Sequence, residues 1–340
     1  MKPGRHIQRI IISRTDSIGD VILTLPLTGL IKAHWPEAEI LFLGKDYTMP
    51  ILQHATFVDQ AISLDQLMEQ GELKAVEQLR SFKADAILHV FPRKPIARLA
   101  WKAQIPYRFG STGRLYHYLY CNRLIPLSRK RSLLHEASLN AILLKGLGIK
   151  NVPQPEGLPA YYGLNAQTLA GINRVRLHHP AVILHPGSKG SAREWDMAHF
   201  HNLSLMLHQQ GYHVYLTGTE TEGAFFRPWL CHTQPWINDL SGKLTLEELF
   251  GFIAAADALV AASTGPLHMA AALGKLAIGI YPPIRPMHPG RWRPLGENSH
   301  YLVVDKACSD CRTASSCACM QAVRPEEVYA LICKHLPIAS

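Results

Sequence analysis

Two loops in the second half of the chain carry residue types suited to holding phosphate. In ILHPGSKGSAREW, an apolar run ends at His185 and passes into a Gly/Ser-rich turn. Gly187 and Gly190 allow a close backbone approach, Ser188 and Ser191 can donate to phosphate oxygens, and Arg193 can hold a diphosphate by charge-assisted hydrogen bonds. The same loop also reads as an ordinary polar connection before a helix. In VAASTGPLHMAAALG, Ser263 ends a strand, Thr264 and Gly265 form the turn, and Pro266 suits the first helical position. The unpaired N–H groups of such a helix start make an anion site that His268, in the first turn, can reach; capping or packing is the alternative role for this histidine. The first half offers a different chemistry. SRTDSIGDVILTLP, from Ser13 to Pro26, places two carboxylates, Asp16 and Asp20, around Gly19 where a first strand hands over to a first helix. Aspartate is a strong helix N-cap, which is the structural reading of Asp20.

The elements that must position these loops alternate along the chain. RIIIS, EILFLG and ADAILHV read as buried strands, separated by helical segments over VILTLPLTGLIKAHW, MPILQHA and LMEQGELKAVEQLRSF. NVPQPEGLPAYYGLN is rich in Pro and Gly without periodicity and reads as an interdomain linker. Beyond it the alternation restarts, with strands in PAVILHPGS, YHVYLTGTETEG, DALVAAS and LAIGIYPP, the last read as the final strand. This predicts an α/β protein of two Rossmann-like domains, 1–160 and 161–340, facing each other across a cleft, with ligand loops at the carboxyl ends of the strands. No Walker A sequence occurs, which disfavours a phosphate-cleaving NTPase. No G-x-G-x-x-G follows the first strand, which disfavours a dinucleotide dehydrogenase.

The chain has 340 residues, 47% of them hydrophobic, and 35 Lys plus Arg against 26 Asp plus Glu, a net +9. That length suffices for two packed domains. No stretch approaches the roughly 20 apolar residues of a membrane span, and nothing at the start resembles a signal peptide, so a cytoplasmic protein is expected. The positive charge is concentrated. Residues 91–131 hold ten basic residues, among them Arg93, Lys94, Arg98 and Arg108, and no Asp or Glu. Seven aromatics are interleaved: Phe91, Trp101, Tyr107, Phe109, Tyr116, Tyr118 and Tyr120. Such a field attracts nucleic acid, an anionic membrane surface or an acidic small substrate; incidental surface charge is the bland reading. Of seven cysteines, Cys308, Cys311, Cys317 and Cys319 crowd into CSDCRTASSCAC. The second pair is C-x-C and the intervening loop is tight for a zinc ribbon. The spacing therefore favours cysteines packed under a C-terminal loop over a metal site.

RTDSIGDVILTLP, RFG, HEASLN, LHPGSKGSAREW, LTGTETE, DLSGKLTLEEL and STGPLHMAAALG, in that order, resemble the heptosyltransferases of glycosyltransferase family 9, over about residues 8 to 330. The resemblance implies a GT-B fold and an inverting, metal-independent transfer of heptose from ADP-heptose. The acceptor it implies is the acidic, phosphorylated inner core of lipopolysaccharide at the cytoplasmic face of the inner membrane. It places the general base on Asp20, with Asp16 second. Ser188 and Arg193 fall on diphosphate contacts, and Glu220 on the ribose carboxylate, with Glu222 the alternative. Lys243 and Leu244 fall beside the adenine, and Thr264, Gly265 and His268 on donor phosphate or sugar. Arg93, Lys94, Arg98 and Arg108 become candidate acceptor contacts, and the aromatics are placed against the bilayer. Most relatives have Asp before the Thr-Gly pair where this chain has Ser263, so the donor sugar is left open. The alternatives are a related transferase using another nucleotide sugar and a non-catalytic nucleotide-sugar-binding relative. Nucleic acid is disfavoured, since no binding module is recognisable. Oligomeric state, core position and linkage are not specified by these residues.

Overall fold

The computed structural model describes residues 7–130, 132–230, 235–285, 287–306, 308 and 317–338. Arg131, Cys231 and Cys311 lie outside the described residues. The chain divides into two compact units, Met1–Leu164 and Asn165–Ser340.

The first unit holds six strands: β1 (Arg9–Ser13), β2 (Glu39–Gly44), β3 (Gln60–Ser63), β4 (Ala86–His89), β5 (Tyr107–Ser111) and β6 (Arg123–Ile125). They form one sheet in the order β3-β2-β1-β4-β5-β6, every pair parallel. The central strands are continuous apolar runs because helices cover both faces: Ile10, Ile11 and Ile12 of β1 are all fully buried. The second unit repeats the design with β7 (Ala181–His185), β8 (His213–Leu216), β9 (Ile237–Asp239), β10 (Ala258–Ala262), β11 (Leu276–Tyr281) and β12 (Ser299–Val303). Its order, β12-β11-β10-β7-β8-β9, is again parallel throughout. In each unit the strand order reverses beside the first strand, between β1 and β4 and between β7 and β10. Parallel sheets of this order bind ligands at that switch point, outside the carboxyl ends of the strands.

Five strands escape the sequence reading: β3, β5, β6, β9 and β12. All carry partly exposed residues and all but β5 lie at a sheet edge, so their apolar signal is weak; β12 also displaces LAIGIYPP as the last strand. Two helices expected to be continuous are broken. The first is interrupted before Pro26, giving Ile18–Ile22 and Pro26–His34. The other breaks at Gly71, whose φ of 86° ends one helix at Glu69 and lets the next begin at Glu72. The stretch read as a linker is instead an ordered strap of the first unit. Residues Pro155–Tyr161 form a 3-10 helix, and Leu158 and Tyr162 are buried. Gly29 makes this possible: a Cβ there would lie 2.5 Å from the Tyr161 carbonyl oxygen.

At the C-terminal end, Cys317 and Cys319 are buried in the apolar core of the second unit with Trp195, Phe200 and Met320. Among the described residues no cluster of His, Cys, Asp and Glu is arranged to hold a metal ion.

Candidate active site

The loop after β1 is built around a buried arginine. Arg14 follows Ser13 directly, and its side chain is 3% exposed. Its Nε donates to Asp16 Oδ1 at 2.7 Å, its Nη2 to Asp20 Oδ1, and its Nη1 to Glu136 Oε1 and Asn140 Oδ1, both at 3.2 Å. A second guanidinium, Arg129, donates to the same Glu136 Oε1, to Asn140 Oδ1 at 3.0 Å and to the Val90 carbonyl at 2.9 Å. Three carboxylates thus share two guanidinium groups. Burial pushes the Asp16 carboxyl up to about 6; Arg14 opposes that shift and the Asp20 charge adds to it. Burial also disfavours a charged Arg14, but Asp20, Asp16 and Glu136 together raise its pKa above the ordinary value.

Asp20 itself sits in the first turn of the helix Ile18–Ile22, whose N-cap residue is Ser17. The capping reading of Asp20 is therefore corrected. Ser17 Oγ donates to Asp20 Oδ2 at 2.5 Å, and the Asp20 carbonyl accepts from Thr24 Oγ1 at 2.8 Å. Its carboxylate is held from two sides yet stays 16% exposed, so it combines a fixed orientation with access. Tyr47, after β2, donates its hydroxyl to the Asp16 carbonyl.

The basic stretch separates into different environments. Arg93 lies beside this loop: its guanidinium and that of Arg14 stand 5.2 and 5.7 Å from the Phe91 ring. Lys94 opens the helix Lys94–Lys102, just beyond the carboxyl end of β4. Arg98 and Lys102 of that helix both pair with Glu72. Arg108 lies near the start of β5, where its side chain donates to the Ile105 and Tyr120 carbonyls at 2.5 and 2.7 Å. The structure thus brings Arg93 to the Asp16–Asp20 loop, and not Arg98 or Arg108. Next to the switch point, His89 ends β4 in register with Ser13, and its ring stands 5.9 Å from that of His117. Burial holds His89 down near 3, so both rings are neutral at physiological pH.

In the second unit, the loop after β7 is organised by two glutamates. Ser188 donates its N–H and its hydroxyl to Glu194 Oε1, at 2.8 and 2.7 Å. Glu222 Oε2 accepts from the Thr219 N–H and hydroxyl, both at 2.8 Å, and Glu222 Oε1 from the Lys189 N–H at 3.2 Å. Burial opposes its charge, but these donors and His185 hold the carboxyl below the usual range. A Cβ at Gly187 would press on that carboxylate, so any larger residue there requires the Glu222 side chain to shift. Glu220 is an exposed carboxylate paired with Arg227, which also bonds Asp239 at 3.2 Å and the Ser241 carbonyl at 3.0 Å. Lys243 Nζ donates to the Asp239 carbonyl at 2.6 Å, and Leu244 follows it at the carboxyl end of β9.

After β10, Thr264 caps the helix Gly265–Ala272 without a side-chain bond, and its buried hydroxyl has no hydrogen-bond partner among the described residues. His268 is buried in the first turn. Ser263 bonds Tyr281, whose hydroxyl donates to the Trp292 carbonyl at 2.6 Å. Ser188, Arg193, Glu220, Lys243, Leu244, Ser263, Thr264, Gly265 and His268 therefore belong to the carboxyl-end loops of one sheet or to the helix starts that follow them. A cavity of about 440 Å³ takes in Ser188 and Arg193 along with Trp195, Phe225 and Cys317, and none of the other donor candidates.

Sequence reasoning passed over Arg14, Glu136, Asn140, Glu194 and Arg227. One signal was available: Glu136 and Asn140 stand at i, i+4 in the helix Glu136–Ile142, hence on one face.

Each unit carries one parallel six-stranded sheet with helices on its faces, a Rossmann-like α/β architecture. The solved structure of Escherichia coli ADP-heptose lps heptosyltransferase II has this fold, with a TM-score of 0.77 at 20% identity, covering 97% of this chain and 98% of that one. The family described as Glycosyltransferase family 9 (heptosyltransferase) matches residues 73–320, and the chain belongs to it. Among curated relatives, a putative glycosyltransferase of Haemophilus influenzae is 28% identical over 326 residues, covering 91% of this chain and 90% of that protein. Lipopolysaccharide heptosyltransferase 2 of Salmonella typhimurium is 25% identical over 291 residues, covering 82% and 84%. The protein is a glycosyltransferase with the GT-B fold class expected from its sequence.

Proposed function

We propose that this glycosyltransferase moves heptose from ADP-heptose to the acidic inner core of lipopolysaccharide, with inversion and without a metal. In this reading it works at the cytoplasmic surface of the inner membrane. The observation that carries the reading is the Asp20 carboxylate, fixed by Arg14 and Ser17 yet still accessible at the carboxyl edge of the first sheet. Asp20 takes the proton of an acceptor hydroxyl as that oxygen attacks the anomeric carbon; the bond to the diphosphate breaks and ADP leaves as an anion. Asp16 is the second candidate for the base. The first unit is then the acceptor domain, with Arg93 and Lys94 as its nearest acidic-substrate contacts. Arg98 and Arg108 were candidates for the same role, but their side chains are engaged with Glu72 and with backbone carbonyls.

The second unit is the donor domain. Arg193 and the helix start at Thr264 and Gly265, with His268, take the diphosphate and its developing charge; Ser188, a candidate for the same role, gives its N–H and hydroxyl to Glu194. Glu220 takes the ribose hydroxyls, and Lys243 with Leu244 flanks the adenine. ADP release from ADP-heptose on core acceptors truncated stepwise tests this. Acceptor-dependent release that Asp20→Ala abolishes supports it, and release that survives moves the base to Asp16. Ser263 favours a second reading, a related transferase with another nucleotide sugar, because a neutral hydroxyl bonded to Tyr281 stands where most relatives have a carboxylate. Turnover with a panel of nucleotide sugars separates the two.

A further inference from the structure

The turn that follows β5 carries its apolar side chains outward. Leu115 is 88% exposed, Leu119 72% and Tyr118 59%, all within a short segment ending in the helical turn His117–Tyr120. Folding does not ordinarily leave three such side chains together in water. The segment is nevertheless firmly tied. His117, fully buried, bonds the Ser111 carbonyl through Nδ1 at 2.8 Å and stacks near His89, and a Cβ at Gly110 would meet His117 Nδ1 at 2.7 Å. Holding His117 inward turns Leu115, Tyr118 and Leu119 outward. Half-exposed Trp101 stands beside the end of this turn, its ring 6.0 Å from that of Tyr120.

The charge around this turn is of one sign. No Asp or Glu occurs between Asp85 and Glu136. Arg114 and Arg123 are exposed, and neither pairs with a carboxylate among the described residues. Arg123 instead lies 5.3 Å from the Tyr107 ring and donates to the Asn122 carbonyl.

We propose that Leu115, Tyr118, Leu119 and Trp101, ringed by Arg114 and Arg123, form a docking surface for an anionic lipid bilayer. The leucines insert among acyl chains, the aromatic rings sit at headgroup level, and the arginines meet lipid phosphate. A second copy of the chain fits poorly, because a self-contact here brings like charges together. Nucleic acid satisfies the arginines but gives aliphatic leucines nothing to enter. The turn leaves β5 at the carboxyl end of the sheet, the end that carries the Asp20 loop, and runs back along the flank to the start of β6, since β1, β4, β5 and β6 are all parallel. Docking lays this flank of the first unit on the bilayer with the Asp20 end beside it; this consequence rests on the reading of the acceptor as membrane-anchored. Among the described residues no helix is long and apolar enough to cross a membrane, so the contact is peripheral.

The test is co-sedimentation of the purified full chain with vesicles of phosphatidylcholine alone or mixed with phosphatidylglycerol, with no donor or acceptor present. Binding to the mixed vesicles, weakened by salt and roughly tenfold or more by the pair Leu115→Glu and Leu119→Glu, is the expected result. Arg114→Gln with Arg123→Gln should weaken it about tenfold as well. Both pairs change exposed side chains, so unaltered thermal unfolding verifies the fold. No binding to mixed vesicles, equal binding by the leucine variant, or a dimer that the leucine variant abolishes would each overturn the proposal. Because the assay needs no turnover, it can fail while transfer to a soluble core acceptor persists, and succeed where transfer fails.

Discussion

The first loops of the two units begin alike and end differently. Each follows the first strand of a parallel sheet of the same order, beside the strand at which that order reverses. In the first unit the loop is a charged cluster: Arg14 binds Asp16, Asp20 and Glu136, and Arg129 closes it from the other side. In the second it is a backbone loop: Ser188 and Lys189 give their N–H groups to Glu194 and Glu222, and a glycine stands where a larger residue would press on the Glu222 carboxylate. A shared topology therefore fixes where a site forms and leaves its chemistry to a few side chains. A carboxylate held by a buried cation suits proton transfer, while a glycine-bearing loop near a helix start suits an anion.

If the first loop supplies the base, Asp20→Asn should lower kcat by roughly 10²- to 10⁴-fold with the dissociation constant for ADP unchanged. A larger loss in Asp16→Asn, measured in the same steady-state assay, would transfer that role within the loop. The cluster should also stabilise its own unit. Glu136→Ala removes the carboxylate shared by Arg14 and Arg129 while Asp16 and Asp20 still pair with Arg14, which should cost about 1.5–3 kcal/mol in denaturant unfolding of the first unit. ADP binding, measured by calorimetry, should survive where that unit remains folded. If both fall together, the two loops are not independent.

Acid should act on the buried histidines at the strand ends. Burial lowers His89 to near 3 and His185 to near 4, so the folded state takes up fewer protons than the unfolded one. The stability each contributes is complete above the unfolded value of about 6.5 and is lost as pH falls toward the folded value. For His89 the loss should reach about 2 kcal/mol by pH 5, and thermal unfolding of His89→Gln should show a flatter acid limb. The smallest expected effect lies in the second loop. Gly187→Ala pushes against Glu222 and should weaken ADP about tenfold, leaving the acceptor KM as it was. An equal change in both constants would undo the division of labour.

The core strands were legible because a strand buried on both faces must be a continuous apolar run, as RIIIS and DALVAAS are. The edge strands β3, β6, β9 and β12, and β5 beside β6, carry only partial burial and hence only part of that signal. Composition likewise marked the strap near 151–165 as irregular, but could not show that Leu158 and Tyr162 would be buried above Gly29.

The same line divides the site. Local sequence by itself determined which strands carry the loops and which residues of Asp16, Asp20, Ser188, Thr264 and His268 stand in them, because strand, turn and helix start are properties of neighbouring residues. Only the tertiary structure decided what those residues meet. Arg14 and Glu136 are separated by 122 positions, and their pairing exists because the helix Glu136–Ile142 is packed beside the end of β1. Burial then changes the charges themselves: taken out of water, the Asp16 carboxyl moves to about 6, a shift that depends on three dimensions and leaves no mark in the order of the residues.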